Sequence, residues 1–232
     1  MLYSFLKTFS HKPKGLIRLA SEGDLNKVSE LRLKAFKSTD QFMILNSELI
    51  QTDQYDNKDD IIIATDNANN IVSTLRGGVL VNHSQAEARL EAKLNVDPDF
   101  FPALYLSKGA TCLDHRNSGI HSVLRYYFLL GLLNSSINSV IGITYQNAPR
   151  LNTMQKMGYN FQKLTTCHYT HVKPIEPPIL AFLKKENFFS AYNILSNQHQ
   201  TVIKDYPWVD RELQYSLSDT DTKNYSLNIA KY

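Results

Sequence analysis

The stretch from residue 104 to residue 159 limits the fold more than any other part of the chain. It opens with an extended, β-type run at 104–113, passes through Asp114-His115-Arg116-Asn117-Ser118-Gly119-Ile120-His121, and enters a long apolar helical run at 122–134. A second strand, Ser139–Tyr145, follows. Asn147-Ala148-Pro149-Arg150 then leads to a closing turn at Lys156-Met157-Gly158-Tyr159. A strand that runs into a helix exposes several backbone amides with no intrahelical partner, and the macrodipole places partial positive charge on them. The corner at Arg116, Asn117, Ser118, Gly119, Ile120 and His121 therefore reads as an anion site. Arg116 adds a permanent cation at its mouth. The same pattern also describes an ordinary capped, buried helix.

The rest of the chain surrounds that corner. Residues 16–19 form a short strand. Ser21 and Asp24 open a helix in which Leu25, Val28, Leu31, Arg32 and Ala35-Phe36 recur at helical spacing. Polar, loop-like sequence continues to Asn57. Residues 61–64 and 71–81 are two strands joined by an Asn/Asp cluster at 66–70, which predicts a hairpin. A connector at 82–101 holds one helix around 86–94, ended by Pro98. Strands at 161–165 and 167–172 follow the central stretch. Pro174-Ile175-Glu176-Pro177-Pro178 reads as a linker. Beyond it Ile179, Phe182, Leu183, Phe189, Tyr192 and Leu195 suggest an amphipathic helical segment, and the chain ends in a polar tail. The expected organisation is one domain at 16–173 with a helical extension and tail at 174–232. Its class is α/β or α+β: a mixed sheet with helices on both faces.

Composition removes several functions. The 25 basic and 22 acidic residues leave a net charge of only +3, with no block of Lys and Arg dense enough to track a phosphate backbone, so nucleic acid is not an expected partner. Cys112 and Cys167 are the two cysteines, too few for a disulfide framework and consistent with a reducing compartment. No apolar run reaches the length of a membrane span. Leu2, Phe5, Leu6 and Phe9, at helical spacing among lysines, allow a weak membrane-surface contact or packing on the domain. The expected location is cytoplasmic. Glycine-rich phosphate cradles and zinc motifs are missing, and no metal is expected. Cys167-His168-x-x-His171 fails as a metal set because, on a strand, its outer residues stand about 13 Å apart.

Element order together with Arg116-Asn117-Ser118-Gly119-Ile120-His121 resembles the GNAT acyltransferase superfamily, whose phosphate loop has the form Q/R-x-x-G-x-G/A. Asn147 and Lys156-x-Gly158-Tyr159 are similar to that family's closing helix. A narrower resemblance comes from Leu31-Arg32 … Phe36, Asp53-Gln54-Tyr55-Asp56 and Arg76. These look like the N-terminal half of the acyl-homoserine-lactone (autoinducer) synthases, which share the fold with N-acyl-amino-acid synthases. The sequence departs from the pattern at three places. His121 stands where the loop has Gly or Ala, and Met154 where many GNAT enzymes have a tyrosine acid. Tyr105-Leu106-Ser107-Lys108 replaces E-x-S-R and loses its glutamate, which argues against a lactone-forming acceptor.

The resemblance implies a central mixed sheet in which a parallel pair, at about 104–113 and 139–145, splays to admit a pantetheine arm. Arg116 to His121 and Asn147 would bind the donor's phosphates. Arg32, Arg76 and Lys108 would form a charged cluster beside the acceptor, with Asp53 and Asp56 receiving the ammonium and passing on its proton. The co-substrate would be an acyl carrier protein or coenzyme A thioester, with no permanently bound cofactor. Because His121 crowds the loop, a carrier with a single phosphodiester is slightly favoured. The implied reaction is N-acylation of a small amine or amino acid, with a fatty acyl group. Short-chain acetyl transfer is the alternative within this class, and a catalytically silent acyl-thioester-binding domain is the alternative outside it.

Overall fold

A computed structural model of the chain describes residues 12–40, 42–164, 169–210, 213 and 215. The expectations for the N-terminal apolar helix, for Cys167 and His168, and for the polar tail fall outside those residues. No helix among the described residues is long and apolar enough to cross a membrane.

Strand β1 (Gly15–Leu19) leads through a short turn into helix α1 (Leu25–Lys37). The turn is held by Asp24, whose carboxylate accepts from the Ser21 amide at 2.8 Å and from Arg18 at 2.6 Å. The polar sequence that follows is more ordered than expected. It contains strand β2 (Phe42–Ile44) and helix α2 (Ser47–Gln51), capped by Asn46, which accepts from the amides of Glu48 and Leu49. The hairpin is β3 (Asp60–Asp66) and β4 (Ile71–Leu80), antiparallel as predicted. Helix α3 (His83–Leu90) is shorter than its predicted span, because the chain turns at Glu91 with φ +50°.

Strand β5 (Ala103–Thr111), helix α4 (Ile120–Leu132), strand β6 (Ser139–Tyr145) and helix α5 (Leu151–Lys156) make up the central stretch, within two residues of the predicted limits. Next come β7 (Asn160–Lys163), β8 (Val172–Pro174), β9 (Pro178–Lys184), α6 (Phe188–Gln198) and α7 (Gln200–Asp205). The seven-stranded main sheet has the order β1-β3-β4-β5-β6-β9-β7, and β2 pairs with β8 in a small second sheet.

Strand β9 corrects the reading of residues from 179 onward as helical. It inserts between β6 and β7, with Ile141 opposite Phe182 and Phe161 opposite Ala181. Its run Pro-Ile-Leu-Ala-Phe-Leu is buried on both faces, and such a strand has no alternation to distinguish it from a helix. Residues 174–178 therefore connect two strands of the described structure, β8 and β9, and the helices begin only at Phe188.

Alternation along β3 shows how the layers form. Ile61 and Ile63 face α1 around Val28, whereas Ile62 and Ala64 point to the opposite side and pack in the cluster built by α4. Helix α4 contributes Ile120, Val123, Leu124, Phe128 and Leu132 to that core, where Phe188, Ala191 and Leu195 of α6 meet it. Burying this face stabilises the fold by roughly 25 cal/mol per Å² of apolar area removed from water.

Candidate functional site

Strands β5 and β6 are the parallel pair, and they stay together for only three rungs: Ala103 with Ser139, Leu104 with Val140, Tyr105 with Ile141. Beyond Tyr105 the two strands separate. A bulge helps to drive them apart. Between the pairs Arg76–Ser107 and Thr74–Ala110, β5 spends one residue more than β4, and Lys108 takes φ +49°. Such an extra residue bends its strand and raises local twist. The gap opens a cleft of about 700 Å³ that reaches from the start of α4 to the far side of the fork.

At one end lies the predicted anion corner. Gly119 caps α4 with φ +87°, a conformation in which a side chain is strained. A Cβ there would also lie 2.7 Å from Nδ1 of His199, at the α6–α7 junction. Asn117, with φ +61°, supplies a second left-handed turn residue. The first-turn amides of α4 have no partner within the helix. Arg116 is exposed and fastens the loop to the end of α1, donating to Ser38 Oγ at 2.6 Å and to the Ala35 carbonyl at 3.1 Å. Arg116, Asn117, Gly119, Ile120 and His121 all line the cleft. Ser118 does not; its hydroxyl donates to the His115 carbonyl at 2.7 Å.

His121 points inward, away from the loop mouth. Its ring lies over Gly109, where an added Cβ would come within 2.5 Å of Cε1, and its Nδ1 is buried with no partner among the described residues. Burial, reinforced by the charges of Arg125 and Arg150, lowers its pKa well below the ordinary histidine value. Arg125 and Arg150 also line the cleft. Arg150 reaches solvent through the cleft yet is surrounded by protein. Burial first, and Arg125 second, lower its pKa to about 9. The buried Tyr159 hydroxyl hydrogen-bonds Arg125. No carboxylate lines this end.

The other end meets the charged cluster, which the structure does assemble. Arg32 is 1% exposed and donates to Asp56 at 2.8 Å. Arg76 donates to Asp53 at 2.6 Å and to Asp56 at 2.9 Å. Lys108 reaches Asp53 at 2.9 Å and the Leu49 carbonyl at 2.6 Å. Asp59 extends the network, pairing with Arg89, which stacks 4.0 Å from the Tyr55 ring centroid. Burial alone would raise the Asp53 carboxyl. Hydrogen bonds and charges from Arg76 and Lys108 outweigh it and hold Asp53 well below the usual carboxylate range.

This packing corrects part of the expected site. Asp53, Asp56, Arg32 and Arg76 brace the bulge of β5 from behind, and of the whole predicted cluster only Lys108 lines the cleft. Asp53, held by Arg76 and Lys108, is a poor proton acceptor. Asn147 is also displaced: its side chain binds Glu176 on the surface, outside the cleft. Met154 is buried and lines the cleft. Cys112 does have a histidine beside it, with Sγ 3.1 Å from His115 Nδ1, although the sulfur packs against core residues and does not line the cleft.

Sequence reasoning missed Arg125, Arg150, His199 and Glu91. One signal was available: Arg125 is the single charged residue within the apolar run of α4, one turn after His121 on the same face. Among the described residues no three His, Cys, Asp or Glu side chains converge as a metal site.

No family model and no curated protein matches the sequence. Solved structures do resemble the fold. A CoA-dependent acyl-homoserine lactone synthase, BjaI, in its structure with MTA, matches at TM-score 0.56 and 14% identity, over 92% of this chain and 99% of that one. The same synthase with SAM and isopentyl-CoA gives 0.54 and 13% over the same shares. An acetyltransferase structure from Corynebacterium glutamicum, described as histone acetyltransferase HPA2 and related acetyltransferase, gives 0.51 and 16% over 73% of this chain and 95% of that one. The chain therefore has the GNAT fold: a mixed sheet with one parallel, forked pair, flanked by helices.

Proposed function

We propose that this protein is an N-acyltransferase that moves an acyl group from a thioester of coenzyme A or an acyl carrier protein onto a small amine or amino acid. The observation that carries this reading is the continuous cleft. It joins a helix N-terminus flanked by arginines, with no carboxylate at that end of the lining, to a fork between two parallel strands. A phosphorylated donor fits the first, and its extended pantetheine arm fits the second. The free edge of β5 past Tyr105 offers backbone groups to the arm and an amide to the thioester oxygen. Losing one such oxyanion donor typically costs about 2.7–4 kcal/mol of transition-state stabilisation. No nucleophilic side chain is required, since holding both reactants in contact supplies much of the rate. Leu106, Ile141 and Ile143 give the fork apolar walls, which supports a fatty acyl group.

Arg125 and Arg150 favour coenzyme A over a carrier protein. Its pyrophosphate and 3′-phosphate carry several charges, whereas carrier-bound phosphopantetheine has one phosphodiester. The argument from His121 for a carrier loses its basis, because that side chain lies over Gly109 instead of crowding the loop mouth. Asp53, Asp56, Arg32 and Arg76 act by positioning β5.

The test is release of free thiol from acetyl-, octanoyl- and palmitoyl-coenzyme A, and from octanoyl-carrier protein, in the presence of mixed amino acids and simple amines. Turnover of acetyl-coenzyme A alone would replace the fatty reading with acetyl transfer. A thermal shift with thioester but no thiol release would favour the binding-module reading, which rests on the buried Met154 at the expected acid position. Neither shift nor release would end the proposal.

A further inference from the structure

Five of the side chains lining the cleft are basic: Arg89 and Lys108, which pair with Asp59 and Asp53, and Arg116, Arg125 and Arg150, which have no carboxylate partner among the described residues. An acceptor amine arrives largely as an ammonium ion, and such a wall repels it. Among the described residues lining the cleft there is one carboxylate, Glu91. It belongs to none of the motifs read from the sequence.

Glu91 ends helix α3 in the left-handed region, φ +50°, which is uncommon for a residue other than glycine, asparagine or aspartate. Both of its oxygens are held from one side, by the Thr170 amide at 2.8 Å and the Thr170 hydroxyl at 3.2 Å. A carboxylate has about four acceptor positions, so two contacts leave capacity for another donor. It lines the same cleft as Tyr105 and Ile141, the last β5–β6 rung, where the strands part.

We infer that Glu91 is the anchor for the acceptor's amino group. This rests on the acyltransferase reading above and assigns the amine side of the same cleft. The ammonium docks on the carboxylate and gives up one proton, through Glu91 or a bound water, to solvent. The neutral nitrogen attacks the thioester carbon, so a C–N bond forms and the C–S bond breaks. The thiolate leaves with the second proton released from nitrogen, giving amide and thiol. The main contribution of the carboxylate is to hold the nitrogen at the fork.

Glu91→Gln keeps an acceptor oxygen for the Thr170 amide and removes the charge. With octanoyl-coenzyme A as donor and a mixture of the twenty amino acids with ethanolamine and putrescine, the variant should lose about 100-fold or more in amine-dependent kcat/KM. Its affinity for octanoyl-coenzyme A should stay at the wild-type value. Glu91→Asp should recover part of the loss. Thr170→Val, which removes only the hydroxyl contact, should stay within threefold of wild type. Equal amine-dependent rates in wild type and Glu91→Gln would overturn this inference and leave the acyltransferase reading standing. So would a Thr170→Val variant as impaired as Glu91→Gln, because Glu91 would then be a tether for that segment. A wild-type protein with no thiol release from any donor would overturn both.

Discussion

The two ends of the cleft are both rich in basic side chains, yet they treat the charge in opposite ways. Behind the bulge of β5, Arg32, Arg76, Arg89 and Lys108 face Asp53, Asp56 and Asp59, and every cation there has a carboxylate partner. At the start of α4, Arg116, Arg125 and Arg150 line an end that has none. Removing a cation from water costs several kcal/mol unless a partner offsets it. The first group offsets that cost internally and behaves as framework. The second has no carboxylate in its lining, and its cations remain open to the cleft. Basic side chains near a cleft therefore do not mark a ligand site by their number; the location of their counter-charge decides it.

The largest effect should come from damaging the framework. Asp56→Ala leaves Arg32 with no carboxylate and Arg76 with one fewer, both almost fully buried. Breaking a buried pair in this way typically costs about 3–5 kcal/mol. Urea unfolding should show a loss of that size. A loss below about 1 kcal/mol would mean that the network is not a framework, and the contrast between the two ends would fail.

The converse holds at the donor end. Arg125→Ala and Arg150→Ala each remove one of two neighbouring like charges from an end of the cleft whose lining holds no carboxylate. Stability should stay within about 0.5 kcal/mol of wild type. Affinity for coenzyme A, measured by calorimetry, should fall about tenfold for each, or about 1.4 kcal/mol. Destabilisation without loss of affinity would reverse the assignment of that end.

Much of this was legible in the sequence because single elements carry it. The glycine and arginine of the loop, the apolar run of α4 and the hairpin each announce themselves locally, and Arg32, Asp53, Asp56 and Arg76 were grouped correctly by resemblance. Two kinds of fact were not legible. Strand β9 is buried on both faces, so its pattern has no period to read. The cleft lining comes from residues far apart in sequence. Glu91, Arg125, Arg150 and His199 come from the end of α3, from α4, from the start of α5 and from the α6–α7 junction, and they line one cleft only in the folded chain. Which partner a charge finds is likewise set by packing: Asp53 as a base and Asp53 clamped by Arg76 have the same sequence.

The uncompensated end should also make the fold sensitive to acid. His121 has its pKa lowered first by burial and then by the charges of Arg125 and Arg150. The unfolded chain therefore binds the proton more readily, and stability falls as pH drops through the unfolded value near 6.5. One histidine kept neutral in the fold accounts for about 1.4 kcal/mol between pH 7.5 and 5.5. Urea unfolding at those two values should show that His121→Gln loses less stability on acidification than wild type, by about this amount. Identical losses would show that His121 takes up its proton without strain, and that the charge at this end is already screened.

The smallest effect is expected where resemblance and structure disagree. Asn147 was assigned to the donor's phosphates, but its side chain and its amide both bind Glu176, at an exposed position outside the cleft. Exposed polar contacts of this kind contribute little, so Asn147→Ala should change stability by less than about 0.5 kcal/mol. Affinity for coenzyme A should not change, because the phosphates already have the first-turn amides of α4 and three arginines. The pair of measurements separates two accounts of the donor end. A tenfold loss of affinity at unchanged stability would mean that Asn147 leaves Glu176 and swings to the donor on binding. The anion site would then include a hydrogen-bonding side chain from the β6–α5 junction, and its charge would explain less of the binding than the comparison of the two ends assigns to it.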